Sequence, residues 1–474
     1  NNPIRRVFTR NLFISSKLST KLFSKIPLAL APLLLLPYSL ESQALSATTS
    51  ERIHGTAPYL TFDGGVTKVT KTEDLLGIKL SDGRTFTLQN NSSSPTAPIK
   101  LPNVGDTLAD IEMIVPPLSD SININDLVTQ GKWGDDDGDG QGTNGVTALG
   151  SISLAITDKD GNTINRSDAL DICNAPYKVT LSSTGGSLTT QYGLPDSSTF
   201  SGGTAEYYIT LPSPPVICAV RPNLYYGTGR YAGPANIWNP DKGFLVQSTN
   251  PSSYDRNFPT TGADGLYFDL LIAGVDASQL SWSVTTYGGS GDITATVSRV
   301  GSNTRVTLNG PRASSSQISS SNPGQITVPT LPQTFELIGR DRSGNEVRYG
   351  FELRQWFVNR GGQRKTYSDQ LAWCRSLGYR MPAVSDLTNA VRRASPPISG
   401  ATPSSSVNYY MRYIGAGFFT EWGYMTNYTD AGFVPYDYWT SDATGSYQFA
   451  VDSYDGYVRS RSASDSGYAV CTAP

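Results

Sequence analysis

The chain has 474 residues, 38% hydrophobic and 16% charged, with 46 Gly, 30 Pro, 26 Tyr and a formal net charge of −3. That length exceeds one ordinary core, so two to four domains are expected, and the Gly, Pro and Tyr content describes a turn-rich, mainly β protein. The acidic balance disfavours nucleic acid as a partner, and a single histidine, His54, leaves little room for Ser-His-Asp, Cys-His or typical zinc chemistry, so no enzyme is expected.

Six basic residues, Arg5, Arg6, Arg10, Lys17, Lys21 and Lys25, precede an apolar run from Ile26 to Leu40. No acidic residue precedes Glu41, and Ser42-Gln-Ala44 offers the small residues that a signal peptidase reads. This pattern predicts a signal peptide over 1–44 and an exported product, secreted or held at the cell surface. The run is too short and too broken by proline to span a bilayer comfortably, and no later run is apolar enough to try, so no membrane span is expected in the mature chain. Four cysteines, Cys173, Cys218, Cys374 and Cys471, should then be paired, with three connectivities open.

Residues 45–98 read as a small N-terminal β segment. Hairpins are signalled by Leu76-Gly-Ile-Lys-Leu80, Asp82-Gly83 and Thr85-Phe-Thr-Leu88, and the Ser/Pro-rich stretch Asn91–Pro98 is expected to end it. Residues 99–262 read as a β-rich domain with strands at 111–115, 150–156, 177–181 and 206–211. Tyr225, Tyr226, Tyr231 and Trp238 follow in a Gly/Pro/Asn-rich stretch, either a long irregular surface or a loop core filled by rings. Within this domain Asp135, Asp137 and Asp139 with Gly140 occupy positions 1, 3, 5 and 6 of an EF-hand loop. Val146 stands where that loop needs a bidentate Glu, so this is no EF-hand. Packed carboxylates still make the three aspartates a candidate calcium site, the alternative being a solvated turn.

Residues 263–353 alternate as an immunoglobulin-like β-sandwich, with strands near 266–272, 280–284, 293–297, 305–308, 334–338 and 347–351. In 354–474, Thr366 or Ser368 can cap a helix carrying Leu371, Cys374 and Leu377, which Gly378 stops. Ser385 can cap a second helix carrying Leu387, Ala390 and Val391. Arg360, Arg364 and Lys365 read as a solvated face. Aromatic residues crowd between Tyr409 and Trp439. Such rings supply core area and binding hot spots alike. Trp439 reads as core, while Phe419, Trp422, Tyr424 and Tyr428 are the expected receptor-binding surface.

Three segments carry a resemblance. Leu101-Pro-Asn-Val-Gly-Asp-Thr107, Trp133–Asp139 and Leu170-Asp-Ile-Cys-Asn-Ala-Pro-Tyr177 resemble the adhesion domain of invasin-E-type proteins, within the enterobacterial invasin/intimin adhesins. Trp356-Phe-Val-Asn-Arg360, the Cys374 helix and the Tyr438-Trp-Thr-Ser-Asp442 to Cys471 ending resemble the C-type-lectin-like tip that closes such adhesins. The resemblance implies immunoglobulin-like modules followed by an α+β C-type-lectin-like domain over 354–474. It implies 173–218 and 374–471 as the disulfides. It also implies a bacterial adhesin, an invasin or intimin in kind and a virulence factor in role, whose partner is a host-cell surface protein or glycan. The sugar-binding tripeptides of calcium-dependent lectins, Glu-Pro-Asn, Gln-Pro-Asp and Trp-Asn-Asp, do not occur in 354–474, so protein recognition is the closer expectation. The alternative is a calcium-independent carbohydrate-binding surface protein that stacks sugars on aromatic rings.

Overall fold

The computed structural model describes residues 54–69, 71–138 and 145–473, so the expected signal peptide at 1–44 lies outside the described residues. The fold is mainly β. Two hydrophobic cores organise it, one drawn from Leu60 to Ile209 and one from Ile217 to Ala473.

The first core lies under a sheet of β1 (Ile99–Lys100), β2 (Ser121–Asn123), β3 (Thr147–Thr157), β4 (Tyr177–Thr189), β5 (Ser197–Phe200) and β6 (Gly203–Thr210). Their order is β1-β6-β4-β3-β2, with β5 on the end of β4. Ile152, Leu154 and Ile156 alternate inward along β3 while Ser153 and Ala155 face out. A short helix, α1 (Ile124–Thr129), buries Ile124 and Leu127 against the sheet. The expected division at 98/99 does not separate cores. Tyr59–Leu60 pairs with Trp133–Gly134, β1 runs parallel to β6, and Asn91 Nδ2 donates to the Glu206 carbonyl at 2.7 Å. The Ser/Pro stretch is thus stitched to the sheet. The Asp82-Gly83 hairpin forms as expected, and His54 is exposed and bridges Leu194 at a strand edge.

The second core begins earlier than the expected 262/263 division. β7 (Val216–Arg221) pairs with β9 (Tyr267–Ala273), which continues through β12 (Asn303–Asn309) to β11 (Thr294–Val300). The facing sheet is β10 (Ser281–Gly288), β13 (Gln333–Arg340) and β14 (Glu346–Leu353). Phe335 and Phe351 stack at 4.9 Å between them. The sandwich is therefore immunoglobulin-like, but its first strand comes from the segment assigned to the preceding domain. Nothing local in 216–221 says which sheet it joins.

Between sandwich and tip there is no linker. β8 (Thr261–Ala263) runs parallel to β15 (Gln355–Asn359), which pairs antiparallel with the last strand, β19 (Val470–Thr472). The helix α2 (Tyr367–Leu377) is capped by Thr366 Oγ1 on the Asp369 amide and ends at Gly378, whose φ of +91° suits a residue without a Cβ. The second helix, α3 (Val384–Leu387), is shorter than expected. Asp386 caps it through the Ala383 amide, leaving Ala390 and Val391 outside. A further short helix, α4 (Phe418–Trp422), and the sheet β16 (Asp437–Thr444), β17 (Tyr447–Asp452) and β18 (Val458–Ser462) complete an α+β, lectin-like tip. Trp439 is buried as expected.

Both disulfides form, 173–218 and 374–471. Cys374–Cys471 ties α2 to β19 in the buried centre of the tip. Cys173–Cys218 does not close one domain. Cys173 belongs to a turn beside the first core and Cys218 to β7 of the second, so this bridge staples the two cores together. Lys242 Nζ reinforces the junction, donating to Asn174 Oδ1 at 2.8 Å and lying 3.4 Å from Asp160.

Candidate functional site

The receptor-binding surface expected from sequence is not a surface as a set. Phe419, Trp422 and Tyr428 are wholly buried, and Tyr424 alone stays partly accessible. Residues before the tip cover Trp422 and Tyr428, while Phe419 is buried within the tip. Trp422 lies 4.9 Å from the Phe258 ring, and its Nε1 donates to the Thr261 carbonyl at 3.0 Å. Tyr428 donates its hydroxyl hydrogen to the Trp422 carbonyl and accepts the Asn223 amide, each at 3.0 Å. Phe419 packs against Phe433 and Tyr438. Trp422 and Tyr428 thus join two modules.

Two buried charges lock the same junction. The Glu421 carboxylate accepts from the Thr260 and Thr261 amides at 3.0–3.1 Å, from both threonine hydroxyls at 2.9 and 2.5 Å, and from the Gly415 amide at 2.8 Å. Burial pushes this carboxyl up, and the five donors oppose that shift. The Arg412 guanidinium lies between the rings of Trp238 and Tyr410, 4.7 and 5.4 Å from their centres. It donates to the carbonyls of Glu421, Asn223 and Tyr225 at 2.8, 2.6 and 2.9 Å. Gly423 makes room for it, since a Cβ there would meet Arg412 Nη2 at 2.0 Å. Arg360 likewise leaves the expected solvated face. It is buried, donating to the Ile318 and Ser320 carbonyls and to Gln370 Oε1.

What Arg412 holds in place is the loop 222–233, and this loop supplies the site. Tyr226 sits at φ +51°, the one non-glycine residue with positive φ among those described. A bulky side chain in that region is strained, and such strain persists where the surroundings enforce it. The Tyr226 ring lies 4.7 Å from Tyr454, 5.0 Å from Tyr231 and 6.3 Å from Tyr424. Tyr424 meets Tyr454 at 4.7 Å and Tyr225 at 5.8 Å. The row continues through Tyr231, Tyr409 and Tyr457 at 5.6 and 5.3 Å, with Arg230 over Tyr409. Inner rings are half-buried, while Tyr225 is 61% exposed and Tyr454 38%. Mostly edge-to-face contacts fix the rings and leave their rims toward solvent. Burial raises the Tyr226 hydroxyl pKa, so the face carries phenols rather than phenolates. The sequence singled out the loop tyrosines only as an irregular surface or loop core. Their meeting with Tyr424 and Tyr454 spans about two hundred residues, which no local signal reveals.

Asp455 lies behind this face. Its carboxyl is pushed up to about 6 from an ordinary 3.8, first by burial and then by Asp452 and Asp437, against the pull of Arg459 and the Tyr457 amide. Tyr226, Tyr231 and Tyr410 also face it. The folded protein therefore holds a proton that the unfolded chain releases between about pH 4 and 6, so this group's stabilising contribution is lost as pH rises through that window. Asp455→Asn is expected to raise the melting temperature at pH 7 and to flatten its slope between pH 4 and 6. An unchanged slope in melting scans at half-unit pH steps would refute the assignment.

The acidic loop is described only in part. Asp139 lies outside the described residues. Asp137 accepts the Thr56 amide at 2.7 Å, and Asp136 is met by the Tyr59 hydroxyl at 2.7 Å and by Lys68. Among the described residues no group of three or more His, Cys, Asp or Glu side chains is placed to hold a metal, and no helix is long and apolar enough to cross a membrane.

No protein-family model matches the sequence, and no curated protein matches it. Among solved structures the chain is similar to invasin, a bacterial integrin-binding protein, at 13% identity and a TM-score of 0.34, over 69% of this chain and 50% of that one. It is similar to the C-terminal 282-residue fragment of intimin in complex with the intimin-binding domain of the translocated intimin receptor, at 10% identity and a TM-score of 0.30, over 69% and 93%. An intimin mutant of EHEC O157:H7 follows at 14% and 0.27, over 50% and 92%. The matched region thus spans half of the invasin chain. At these values none of the three lends this chain a residue, a receptor or a ligand.

Proposed function

We propose that this chain is a bacterial surface adhesin that binds a host-cell protein through the tyrosine face of loop 222–233 and the tip. The observation that carries this reading is the face itself. Seven tyrosines from two modules are packed edge to face, with Tyr226 strained at their centre and Tyr225 and Tyr454 exposed at the rim. Tyrosine is enriched at binding hot spots, and its rigid ring buries large area at small entropic cost. Two disulfides fit an oxidising, extracellular setting. The resemblance of the tip and the adhesion segment to the invasin/intimin adhesins agrees with binding rather than catalysis.

The test uses the whole exported chain, because a 354–474 fragment would uncover Trp422 and Tyr428. Tyr225→Ala with Tyr454→Ala is expected to weaken saturable binding to cultured epithelial cells by about tenfold or more, as hot-spot truncation does. Undiminished binding by a double variant with the parent melting temperature would sink the proposal.

A further inference from the structure

Past Tyr457, at the end of the tyrosine row, β18 and its neighbours enclose a groove of about 580 Å³ that neither the fold nor the proposed receptor face explains. Four arginines line it, Arg364, Arg392, Arg459 and Arg461, against two carboxylates, Asp437 and Asp452. Each guanidinium is held from behind. Arg459 donates to Asp437 Oδ1 at 3.0 Å and to Asp452 Oδ2 at 3.2 Å, and Arg461 to Asp437 Oδ2 at 2.9 Å. Arg392 Nη2 donates to Ser460 Oγ at 3.0 Å, and Arg364 Nε to the Ser466 carbonyl at 3.0 Å. The terminal nitrogens of Arg364 have no partner among the described residues. Asp437 is nearly buried and shared by Arg459 and Arg461, and four guanidinium groups against two carboxylates leave the groove positive in a chain whose net charge is −3.

The walls are aromatic. Tyr436 is 61% exposed and is braced by stacking on Tyr468 at 6.0 Å, while the Arg459 guanidinium covers Tyr457 at 4.9 Å. We propose that this groove binds the anionic group of an acidic saccharide. Arginine forks hold carboxylate or sulfate oxygens in pairs, with a geometry that lysine cannot copy. Tyr436 offers a flat apolar face to the sugar ring, and Asp452 and Ser460 accept and donate hydrogen bonds to hydroxyls. A neutral sugar would leave the arginines unsatisfied. A long polyanion such as nucleic acid would meet the exposed Asp465 beside Arg461. This site adjoins the receptor face at Tyr457 and does not depend on Tyr225 or Tyr454.

The experiment is calorimetric titration of the full chain with sialyllactose, with a sulfated disaccharide and with lactose. Binding of either charged sugar, but not of lactose, is the expected result, and the two charged arms tell carboxylate from sulfate. Arg364→Glu and Tyr436→Ala change exposed side chains, and each is expected to weaken that binding about tenfold or more, the worth of a charge-assisted pair. Tyr225→Ala with Tyr454→Ala should leave it unchanged, which separates failure here from failure of the receptor reading. The proposal is overturned if none of the three sugars binds at about 10 mM, a threshold near −3 kcal/mol. Equal binding of lactose, or parent-like binding by both groove variants, would overturn it too.

Discussion

Replacing Arg412 by alanine is expected to cost about 4 kcal/mol of stability and to weaken cell binding, although the residue has no exposed surface. The reasoning runs through what the guanidinium leaves behind. Three buried carbonyls, of Glu421, Asn223 and Tyr225, would lose their donor, at about 1–3 kcal/mol for each one left unsatisfied. A void would open between Trp238 and Tyr410 as well. Water entering that void offsets part of the loss, which keeps the expected total below the sum. Two of the carbonyls belong to the loop that carries Tyr225 and Tyr226, so the tyrosine face should loosen as the junction does. Arg412→Lys separates the two effects. It keeps the charge but not the fork, so it should recover part of the stability and little of the ordered loop. Urea unfolding gives the first number and cell binding the second. A loss under about 1 kcal/mol for the alanine variant would show that the junction does not rest on this residue.

The junction also explains where sequence reading stops. Local features were legible because their causes are local. Thr366 and Gly378 bound α2, alternation marks β3, β4, β13 and β14, and Asp82-Gly83 turns a hairpin. The burial of Trp422 and Tyr428 has a distant cause. It needs Thr261 and Asn223, about 160 and 200 positions away. A Trp or Tyr in a loop-rich tip has the same local pattern whether a neighbouring module covers it or not. Tyr424 is the one residue of the four that stays partly accessible, and Tyr225, Tyr226 and Tyr454 assemble around it. Strand pairing crosses the expected divisions for the same reason. The pairing of Val216–Arg221 with Tyr267–Ala273 is a fact of topology.

The two disulfides are expected to respond differently to reduction, because they do different work. Cys374 and Cys471 are wholly buried, and their bridge spans 97 positions, worth about 4–5 kcal/mol in the chain-entropy account. A reductant reaches them only when the tip opens. Cys173 and Cys218 are half-buried, and their bridge spans 45 positions, worth about 4 kcal/mol by the same account. Each core is complete on its own side of this bond. Opening it should leave both cores folded and release their mutual orientation, restrained afterwards by Lys242 with Asn174 and Asp160. Thiol labelling followed by mass spectrometry during mild reduction should therefore find Cys173 and Cys218 first. Calorimetry of a Cys173→Ser, Cys218→Ser variant should resolve one transition into two, while small-angle scattering records a wider spread of shapes. If the 374–471 pair is labelled first, or the variant still melts as a single unit with the parent's scattering profile, the staple is not what couples the cores. The coupling would then belong to the noncovalent junction of Lys242 and its neighbours rather than to oxidation.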